Sequence, residues 1–550
     1  MKIIKLMSRP IGTFFLVLFY GFSAFSQVNF ESSNLPIFII DTNDSIIVDE
    51  PKRTVDLKVV ANGPGNRNYW TDTPTDYDGK IGIEFRGSSS QSIYDKKSYA
   101  FETRKEDGTN NNISLLGLPE ENDWILNGPY GDKSLIRNAL AYDLAGQIMA
   151  YAPRYHFCEV VINGNYQGVY LLLEKIKRDK NRVAISKMGQ DDNIGDEVTG
   201  GYIVKLDKGT GQNAEGWTSP YKPRDGGYQE TFYQYHYPKP EDITLDQVYY
   251  IENYITVWER LMKEDAPVFN DSLEGYSQHI DPTTFIDFIL VNELCKNVDA
   301  YRLSTYLYKD RESADDPRLK AGPVWDFNLG FGNVDFCAGP DPQGWVLNYN
   351  NICPDDNWLI PFYWDKLLSD PRFTQALENR WKELRESIWT KEKLCEKIDE
   401  MSGGLSEAQE RNFLKWPILG QYIWPNSFIG NTHVEEVEFL KAWLMDRMDW
   451  MDGSFKELYA YQPIAEQGQT LVYPNPYLDS AILEFEGEPN NFYDLFIYNA
   501  LGQLAASTII SRQSSSLFFV ELPHLADAGL YFFSVTRGKE VLKSGMFRKL

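Results

Sequence analysis

Two aspartates lie at the two ends of a predicted β-hairpin in the middle of the chain. Asp299 lies between a predicted helix and the strand Thr305 to Tyr308, and Asp326 directly follows the returning strand Ala321 to Trp325. Because a hairpin brings its two ends together, both carboxylates can face one cleft. One carboxylate could hold a metal ion on phosphate oxygens while the other orients an attacking hydroxyl, which is what phosphoryl transfer asks of a protein.

The immediate neighbours of Asp326 favour a cation site. Trp325 and Phe327 flank this carboxylate, so we expect it to be partly buried, and a buried charge requires a partner such as a metal ion. Asp299 could instead simply cap a turn. None of the 5 histidines has a nucleophile-like context, which argues against a Ser/His/Asp triad.

The order of predicted elements is that of a two-lobed kinase. A β-rich first half is followed by a basic connection from Lys177 to Arg182, a helix that begins at Asp281 and Pro282, the hairpin, and a mostly helical segment from Phe362 to Met451. Within the first half, Asp132 is predicted to cap an amphipathic helix. We therefore expect an α+β fold.

Composition limits the partners and the compartment. Lys plus Arg is 54 and Asp plus Glu is 79, a net charge of −25, so we expect no nucleic-acid partner. Residues 1–26 have a basic start, an apolar run from Ile11 to Phe22 and small residues before Gln27, and predict a secretory signal peptide. No later apolar run is long enough to span a membrane, so no transmembrane segment is expected after signal cleavage.

Export permits disulfides. Cys337 and Cys353 flank one Gly/Pro/Asn-rich loop and are the most plausible pair. Cys158, in a strand-like run, and Cys295, on a helix face, are predicted to be small buried apolar side chains.

The carboxyl-terminal segment has its own pattern. Residues 456–470 are polar and predict a linker, and residues 471–550 alternate in short strands typical of an immunoglobulin-like β-sandwich. Tyr473-Pro-Asn-Pro476, Ala528-Gly-Leu-Tyr531 and Phe547-Arg-Lys-Leu550 resemble the type A sorting domain of the type IX secretion system. That resemblance implies export across the outer membrane of a Bacteroidetes-type bacterium by the type IX machinery, followed by release or surface attachment. The alternative is an ordinary sandwich used for binding.

The main domain, predicted over residues 27–455, also resembles a family. Its matching stretches are Arg86-Gly-Ser-Ser-Ser-Gln-Ser92, Lys96-Lys-Ser-Tyr99, Asn122-Asp-Trp124, Asp132-Lys-Ser-Leu-Ile-Arg-Asn138, Gly168-Val-Tyr-Leu-Leu-Leu-Glu-Lys175, Asp299 and Val324-Trp-Asp-Phe-Asn-Leu-Gly-Phe-Gly332. Together they are similar to the CotH kinase family of atypical protein kinases. The resemblance implies a kinase-like fold, ATP, Mg²⁺ or Mn²⁺, and Ser- or Thr-containing protein acceptors.

The resemblance also assigns roles around the two aspartates. Asp326 resembles the metal-binding Asp of the kinase Asp-Phe-Gly motif, with Asn328 in place of Gly, and Asp299 resembles the catalytic-loop Asp. Ser304 stands where ordinary kinases place a second metal-binding residue, so the metal set implied is Asp326, Asn328 and Ser304.

Further residues are implied for ATP. Lys97 is the candidate for the phosphate-pairing lysine, because strand alternation would place it on the face of Tyr99 and Phe101 and turn Lys96 the other way. The hydroxyl-rich turn Ser88, Ser89 and Ser90 is expected to cover the phosphates. Arg137 could touch ATP or pair with an acid across the cleft. Glu174 and Lys175 are expected beside the adenine.

Three functions remain open from the sequence. The first is an exported or cell-surface kinase that phosphorylates protein hydroxyls, and the conjunction of Asp299, Asp326 and Lys97 favours it. The second is a degenerate kinase fold that serves as a surface binding or adhesion module. The third is a carbohydrate-active hydrolase, since paired carboxylates also hydrolyse glycosides.

Overall fold

The computed structural model describes residues 28–209, 215–266, 268–458, 471–473, 482–486, 488, 490–500, 503–510, 517–525, 527–538 and 540–549. The chain divides into two compact units, one with residues up to Pro361 together with Glu383–Trp450, the other with Phe362–Lys382 together with residues from Met451 onward. The predicted signal peptide and residues 459–470 of the predicted linker lie outside the described residues. Within the described part, no helix is both long and apolar enough to cross a membrane.

Strands of the first unit close into a barrel. The elements up to Glu174 are β1 (Ser32–Ser33), β2 (Ile37–Asp41), β3 (Arg53–Val60), β4 (Asn68–Tyr69), β5 (Tyr77–Arg86), α1 (Ser89–Ile93), β6 (Ser98–Arg104), β7 (Asp123–Asn127), α2 (Arg137–Gly146), β8 (Tyr155–Ile162) and β9 (Asn165–Glu174). The barrel order is β2-β3-β5-β6-β7-β9-β8, and parallel pairing of β2 with β8 closes it. Alternate residues such as Val55, Leu57 and Val59 fill its interior, because side chains of a strand point to opposite faces in turn.

A second sheet follows the barrel. Its part of the chain contains β10 (Tyr202–Leu206), β11 (Gly216–Thr218), β12 (Phe232–Tyr237), α3 (Leu245–Lys263), α4 (Pro282–Cys295), β13 (Thr305–Lys309) and β14 (Lys320–Ala321). The strand order is β11-β12-β10-β13-β14. The predicted hairpin is present but shorter than expected: β13 pairs with β14 only through Leu307 with Ala321 and Tyr308 with Lys320, so residues 322–325 separate Asp326 from the strand.

The predicted start of α4 is confirmed, and that of α2 is wrong. Asp281 accepts a hydrogen bond from the Thr283 N–H at 3.1 Å, and proline occupies the first turn of α4. Asp132, in contrast, is not the N-cap residue of α2, which begins at Arg137 after Ile136, although its Oδ2 accepts the Arg137 N–H at 2.9 Å. The reason is local: Leu135 has a φ of +64°, and this left-handed residue interrupts the helix that the apolar spacing predicts.

The remainder of the main segment is mostly helical, as the sequence predicts. Its helices are α5 (Tyr349–Ile352), α6 (Phe362–Leu368), α7 (Pro371–Glu386), α8 (Lys391–Gly404), α9 (Ala408–Lys415) and α10 (His433–Leu458). Because α10 runs to Leu458, the first residues of the predicted linker are helical. The predicted Cys337–Cys353 disulfide is confirmed, with the two Cα atoms 5.8 Å apart. Cys158 and Cys295 are free and buried, as predicted.

The carboxyl-terminal region is all β in its described residues. Its strands are β15 (Leu471–Tyr473), β16 (Ile482–Glu486), β17 (Tyr493–Asn499), β18 (Leu504–Ile510), β19 (Leu517–Glu521), β20 (Gly529–Arg537) and β21 (Glu540–Lys549). They form a three-stranded sheet, β15-β16-β19, and a four-stranded sheet, β18-β17-β20-β21. Phe485 and Phe518 of the first sheet share one core with Leu495 and Phe533 of the second. The mixed helix and strand content confirms an α+β fold with a carboxyl-terminal β region.

Candidate active site

A cavity of about 650 Å³ is lined by residues of the barrel wall and of the second sheet. Asp299 and Asp326 both line it. The structure therefore brings the two predicted carboxylates into one site.

The barrel contributes a straight row of side chains to this cavity. Glu84 pairs with Ala100, Ala100 with Ile125, and Ile125 with Leu173, across β5, β6, β7 and β9. These residues alternate with the barrel's interior residues, so they lie on its outer face, and all of them line the cavity. Three of the four are apolar, which gives one wall of the cavity an apolar surface.

Asp326 has an unusual backbone that its neighbours hold in place. Its φ is +64°, in the left-handed region that few non-glycine residues adopt, although aspartate does so more readily than most. The Asp326 N–H donates to the Tyr142 hydroxyl at 3.2 Å, and the next N–H, of Phe327, donates to Asn138 Oδ1 at 2.7 Å. Tyr142 and Asn138 both lie on α2, so α2 sets the position of Asp326.

The Asp326 carboxylate faces the cavity. The flanking aromatic residues predict partial burial, but Asp326 is exposed to the solvent of the cavity. Surrounding protein still reduces its hydration, and this burial, with the negative charges of Asp299 and Asp207, raises its pKa to about 7 against the opposing effect of Arg86 and Lys208. Within the described residues this carboxylate forms no hydrogen bond or ion pair, so it is available to a cation.

Asp299 is held by an arginine behind it. Its Oδ1 accepts a hydrogen bond from Arg302 Nη2 at 2.7 Å, and its side chain is 26% exposed whereas that of Arg302 is 3% exposed. Burial raises the pKa of Asp299, and the positive charges of Arg302 and Lys208 partly offset that rise. Arg302 therefore fixes one carboxylate oxygen of Asp299, while Asp299 still lines the cavity.

Several charged residues that line the cavity were not predicted from the sequence. Among them are Arg86 at the end of β5, Lys205 on β10, and Asp207 and Lys208 just beyond β10. Lys205 Nζ lies 3.1 Å from Asp207, and although burial lowers the pKa of Lys205, Tyr306 and Asp207 raise it more. The available signal was that a basic and an acidic residue, Lys205 and Asp207, stand two positions apart where a strand ends.

The predicted phosphate-binding residues separate into two groups. Ser88, Ser89 and Ser90 line the cavity. Lys97 does not, because its Nζ donates to the backbone carbonyls of Gln91 and Tyr94 at 2.7 and 2.5 Å and so ties down the α1 turn. Alternation failed here for a simple reason: β6 begins at Ser98, so the strand parity does not extend to Lys97.

It is Lys96, not Lys97, that contributes to the cavity lining. Lys96 is buried and its Nζ donates to the Val169 carbonyl and to Asn412 Oδ1, at 2.5 and 2.8 Å, above the ring of Tyr170. Burial lowers its pKa to about 7. Its ammonium is thus already occupied by protein acceptors.

Three other predicted ATP contacts lie away from the cavity. Arg137 is fully buried and donates to Asp132 Oδ1 at 2.6 Å, so its acid partner is five residues back and not across the cleft. Glu174 is also fully buried and accepts from Arg154 at 2.7 and 2.8 Å. Burial lowers the pKa of Lys175, and the negative charge of Asp123 partly opposes that effect. None of the three predicted residues lines the cavity.

The residues predicted to hold a metal ion all line the cavity. Asn328 and Ser304 line the same cavity, and Ser304 has a φ of +47°, a second left-handed residue at the site. Among the described residues there is no cluster of three or more His, Cys, Asp or Glu side chains that could hold a metal by itself. A set of one carboxylate with amide and hydroxyl oxygens suits Mg²⁺, which usually takes one or two carboxylates and completes its shell with water and phosphate oxygens.

Comparison with individual proteins adds little. No curated protein matches this chain. Among solved structures, the chain is similar to the Pseudomonas fluorescens alkylpurine DNA glycosylase AlkC bound to DNA containing an abasic site analog, with 13% identity and a TM-score of 0.12, over 37% of this chain and 63% of that one. The match thus spans less than two thirds of that protein, and a TM-score this low carries no argument.

Two family models match this chain, one over the main domain and one over the carboxyl-terminal region. Residues 471–546 match the secretion system C-terminal sorting domain, which confirms the resemblance seen in the tail. The protein is therefore secreted or placed on the cell surface through type IX secretion. Residues 83–451, which contain every residue named at the cavity, match the model described as CotH kinase protein, so this chain belongs to the CotH kinase family.

Proposed function

We propose that this protein is an exported phosphotransferase that moves the terminal phosphate of ATP to Ser or Thr hydroxyls of protein acceptors. The observation that carries the proposal is the presence of Asp299 and Asp326 in one cavity that also has an apolar wall and the cationic side chains of Arg86, Lys205 and Lys208. Membership of the CotH kinase family supports it.

The architecture proposed is two-lobed. The barrel would be the first lobe, and the second sheet with the following helices the second, within a domain of residues 27–455. A linker over 456–470 would lead to an immunoglobulin-like sandwich over 471–550, which the sorting machinery would read. The cavity would then be the cleft of a kinase.

The two halves of the cavity suit the two halves of a nucleotide. The apolar row of Ala100, Ile125 and Leu173 offers an apolar surface for a purine base. Arg86 and Lys205 would pair with phosphate oxygens, and the Ser88–Ser90 turn would add hydroxyl and amide donors. Lys205 takes the role that the sequence assigns to Lys97, because its ammonium faces the cavity beside the acids.

A magnesium or manganese ion would be held by Asp326, with Asn328 and Ser304 as further oxygen donors. When bound, such an ion neutralises charge that develops on the phosphate oxygens. Asp299 would accept the proton of the acceptor hydroxyl, and its raised pKa makes it a better proton acceptor than a solvated aspartate. Arg302 would keep one oxygen of Asp299 occupied, so that the other faces the hydroxyl.

The test is direct phosphotransfer. Purified mature protein is incubated with labelled ATP, Mg²⁺ or Mn²⁺, and casein or a Ser-rich peptide, beside the matched Asp326→Asn protein. We expect label on Ser or Thr with the native protein and none with the variant. Absence of ATP binding with either metal would overturn the proposal and favour the binding-module function, and release of sugar from a glycan panel would favour the hydrolase.

A further inference from the structure

Arg302 supports Asp299 from the side that faces away from the cavity. Arg302 does not line the cavity, yet its guanidinium contacts the carboxylate that does. Its Nε donates to the Val298 carbonyl at 3.0 Å, so the arginine also fixes the turn that carries Asp299. Arg302 therefore acts on the acid from the protein side.

The other edge of the guanidinium is fixed by a distant segment. Arg302 Nη1 donates to Asp356 Oδ1 at 3.3 Å and to the Trp358 carbonyl at 3.1 Å. The guanidinium also stacks on the ring of Tyr349, 4.2 Å from its centre, and the Tyr349 hydroxyl donates to Asp356 Oδ2 at 2.7 Å. The orientation of Arg302 thus depends on residues 349–358.

That segment is closed by the disulfide. Cys353 N–H donates to the Tyr349 carbonyl, and Asp356 N–H donates to the Cys353 carbonyl, at 2.8 and 3.2 Å. Cys337 is bonded to Cys353, and its Sγ lies 3.5 Å from the Tyr349 hydroxyl. The sulfur bridge therefore sits directly against the tyrosine that holds Asp356.

The Cys337 end of the bridge has an independent anchor. Lys296, the residue that ends α4, donates from Nζ to the backbone carbonyls of Ala338 and Asp341 at 2.8 and 2.6 Å. Arg447 donates to the Pro342 carbonyl at 2.8 Å. Because the first half of the loop is fixed in this way, the disulfide transmits a fixed position to Cys353 and to the residues that hold Arg302.

We propose that Arg302 is a positioning residue for Asp299 and that the Cys337–Cys353 disulfide makes this positioning dependent on oxidation. The inference rests on the proposed phosphotransferase function. With both cysteines reduced, as they are before export, the Asp356 and Tyr349 contacts loosen and turnover is low. Once the bridge forms, Arg302 is fixed and the exported enzyme is fully active.

The redox step is a thiol–disulfide exchange. On activation, the thiols of Cys337 and Cys353 give two electrons and two protons to a disulfide oxidant. The Sγ–Sγ bond forms between the two cysteines, and the oxidant is released as a dithiol. A dithiol reductant reverses it, breaking the Sγ–Sγ bond and becoming a disulfide itself. Cys158 and Cys295 are buried, so they do not compete for this exchange.

The experiment compares full-length mature protein in the oxidised form, after dithiothreitol, and as the double variant Cys337→Ser, Cys353→Ser. The matched control is Cys395→Ser, which removes a partly exposed free cysteine. We expect the reduced form and the double variant to lose about 10²-fold in kcat, as a misplaced catalytic group does, with ATP KM and ATP affinity within twofold of the oxidised protein. The Cys395→Ser protein keeps both kcat and its sensitivity to dithiothreitol.

Arg302 variants test the same link without redox chemistry. Arg302→Met should lose kcat as strongly and become insensitive to dithiothreitol, while Arg302→Lys, which retains a charge near Asp299, recovers part of the rate. Reduced protein that keeps its kcat, or a kcat loss accompanied by an equal loss of ATP binding, would overturn the proposal, the second because it indicates general unfolding.

A structural readout separates this inference from the proposed function. Hydrogen exchange of residues 297–304 should accelerate on reduction and in Arg302→Met, whatever reaction the cavity catalyses. If the oxidised protein has no phosphotransfer activity, the proposed function is wrong. If the hydrogen-exchange rate of residues 297–304 does not change on reduction, the proposed link between the disulfide and Asp299 is wrong, whether or not the protein has that activity.

Discussion

Asn297 Nδ2 donates a hydrogen bond to the backbone carbonyl of Asp326, at 3.2 Å. The other atom of the same amide, Oδ1, accepts the N–H of Asp299 at 3.3 Å. Asn297 is buried, two residues beyond the end of α4. One side chain therefore fixes the backbones of both acids relative to each other, although Asp299 and Asp326 are 27 positions apart in the sequence.

Removing this amide should separate activity from stability. Asn297→Ala loses both hydrogen bonds, so we expect a cost of about 1–3 kcal/mol in the free energy of unfolding and a fall in kcat. Asn292→Ala is the matched control, since Asn292 is equally buried but donates to the Phe288 carbonyl of its own helix. Thermal unfolding and steady-state kinetics are measured on both. If the two variants lose stability alike and both keep kcat, Asn297 does not position the acids.

The two acids should fail in different ways. Asp326→Asn removes the charge that would hold the metal, so Mg²⁺-dependent ATP binding and turnover should both disappear. Asp299→Asn should spare ATP binding and lower turnover by roughly 10²–10⁴, as loss of a general base does. Calorimetry with ATP, with and without Mg²⁺, and phosphotransfer assays distinguish the outcomes. Unimpaired phosphotransfer by the Asp326→Asn protein would contradict the site assignment.

The parts of the site that follow from local chain geometry could be predicted. Asp281 and Pro282 specify where α4 begins, and a hairpin after it brings Asp299 and Asp326 together even though the hairpin is shorter than expected. Cys337 and Cys353 flank a loop without long regular elements, and this spacing was enough to predict the bridge. Each of these predictions needs only the nearest turns of the chain.

The parts of the site that depend on long-range strand pairing could not be predicted from the sequence. Lys205 reaches the cavity because β10 pairs between β12 and β13, and β12 and β13 lie on opposite sides of α3 and α4 in the sequence. Glu174 was expected at the nucleotide, but Arg154, twenty residues earlier and directly before the neighbouring strand β8, donates to both of its oxygens. A sequence alone does not say which of two charged residues will be neutralised by such a partner.

ATP binding should depend on Lys205 and not on Lys97. Lys205→Met should weaken ATP binding, because it removes a cation from the cavity, and Lys205→Arg should retain most of the affinity. Lys97→Met should leave ATP affinity nearly unchanged and lower thermal stability, since Lys97 ties together the carbonyls of Gln91 and Tyr94. Calorimetric titration of ATP with Mg²⁺ decides between them. Weaker binding by Lys97→Met with normal binding by Lys205→Met would restore the prediction made from the sequence.

A buried carboxylate away from the cavity should set the pH dependence of stability. Glu259 on α3 is fully buried and accepts hydrogen bonds from the hydroxyls of Ser219 and Tyr233 at 2.7 and 2.8 Å. Burial raises its pKa from about 4.5 to about 7. The folded protein therefore binds this proton more tightly than the unfolded chain, so the stability it contributes is present at low pH and is lost as pH rises from about 4.5 through 7.

Glu259→Gln should remove that loss. The amide has nearly the same shape and no charge, so near pH 4.5 the variant and the native protein should have similar unfolding free energies. At pH 8 the variant should be more stable, by up to about 3 kcal/mol for a shift of this size. Glu410→Gln, an exposed carboxylate on α9, serves as the control and should show no such pH-dependent difference. Urea unfolding at pH 5 and pH 8 measures the effect, and a Glu259→Gln protein less stable than the native one at pH 8 would show that Glu259 is needed as a buried anion.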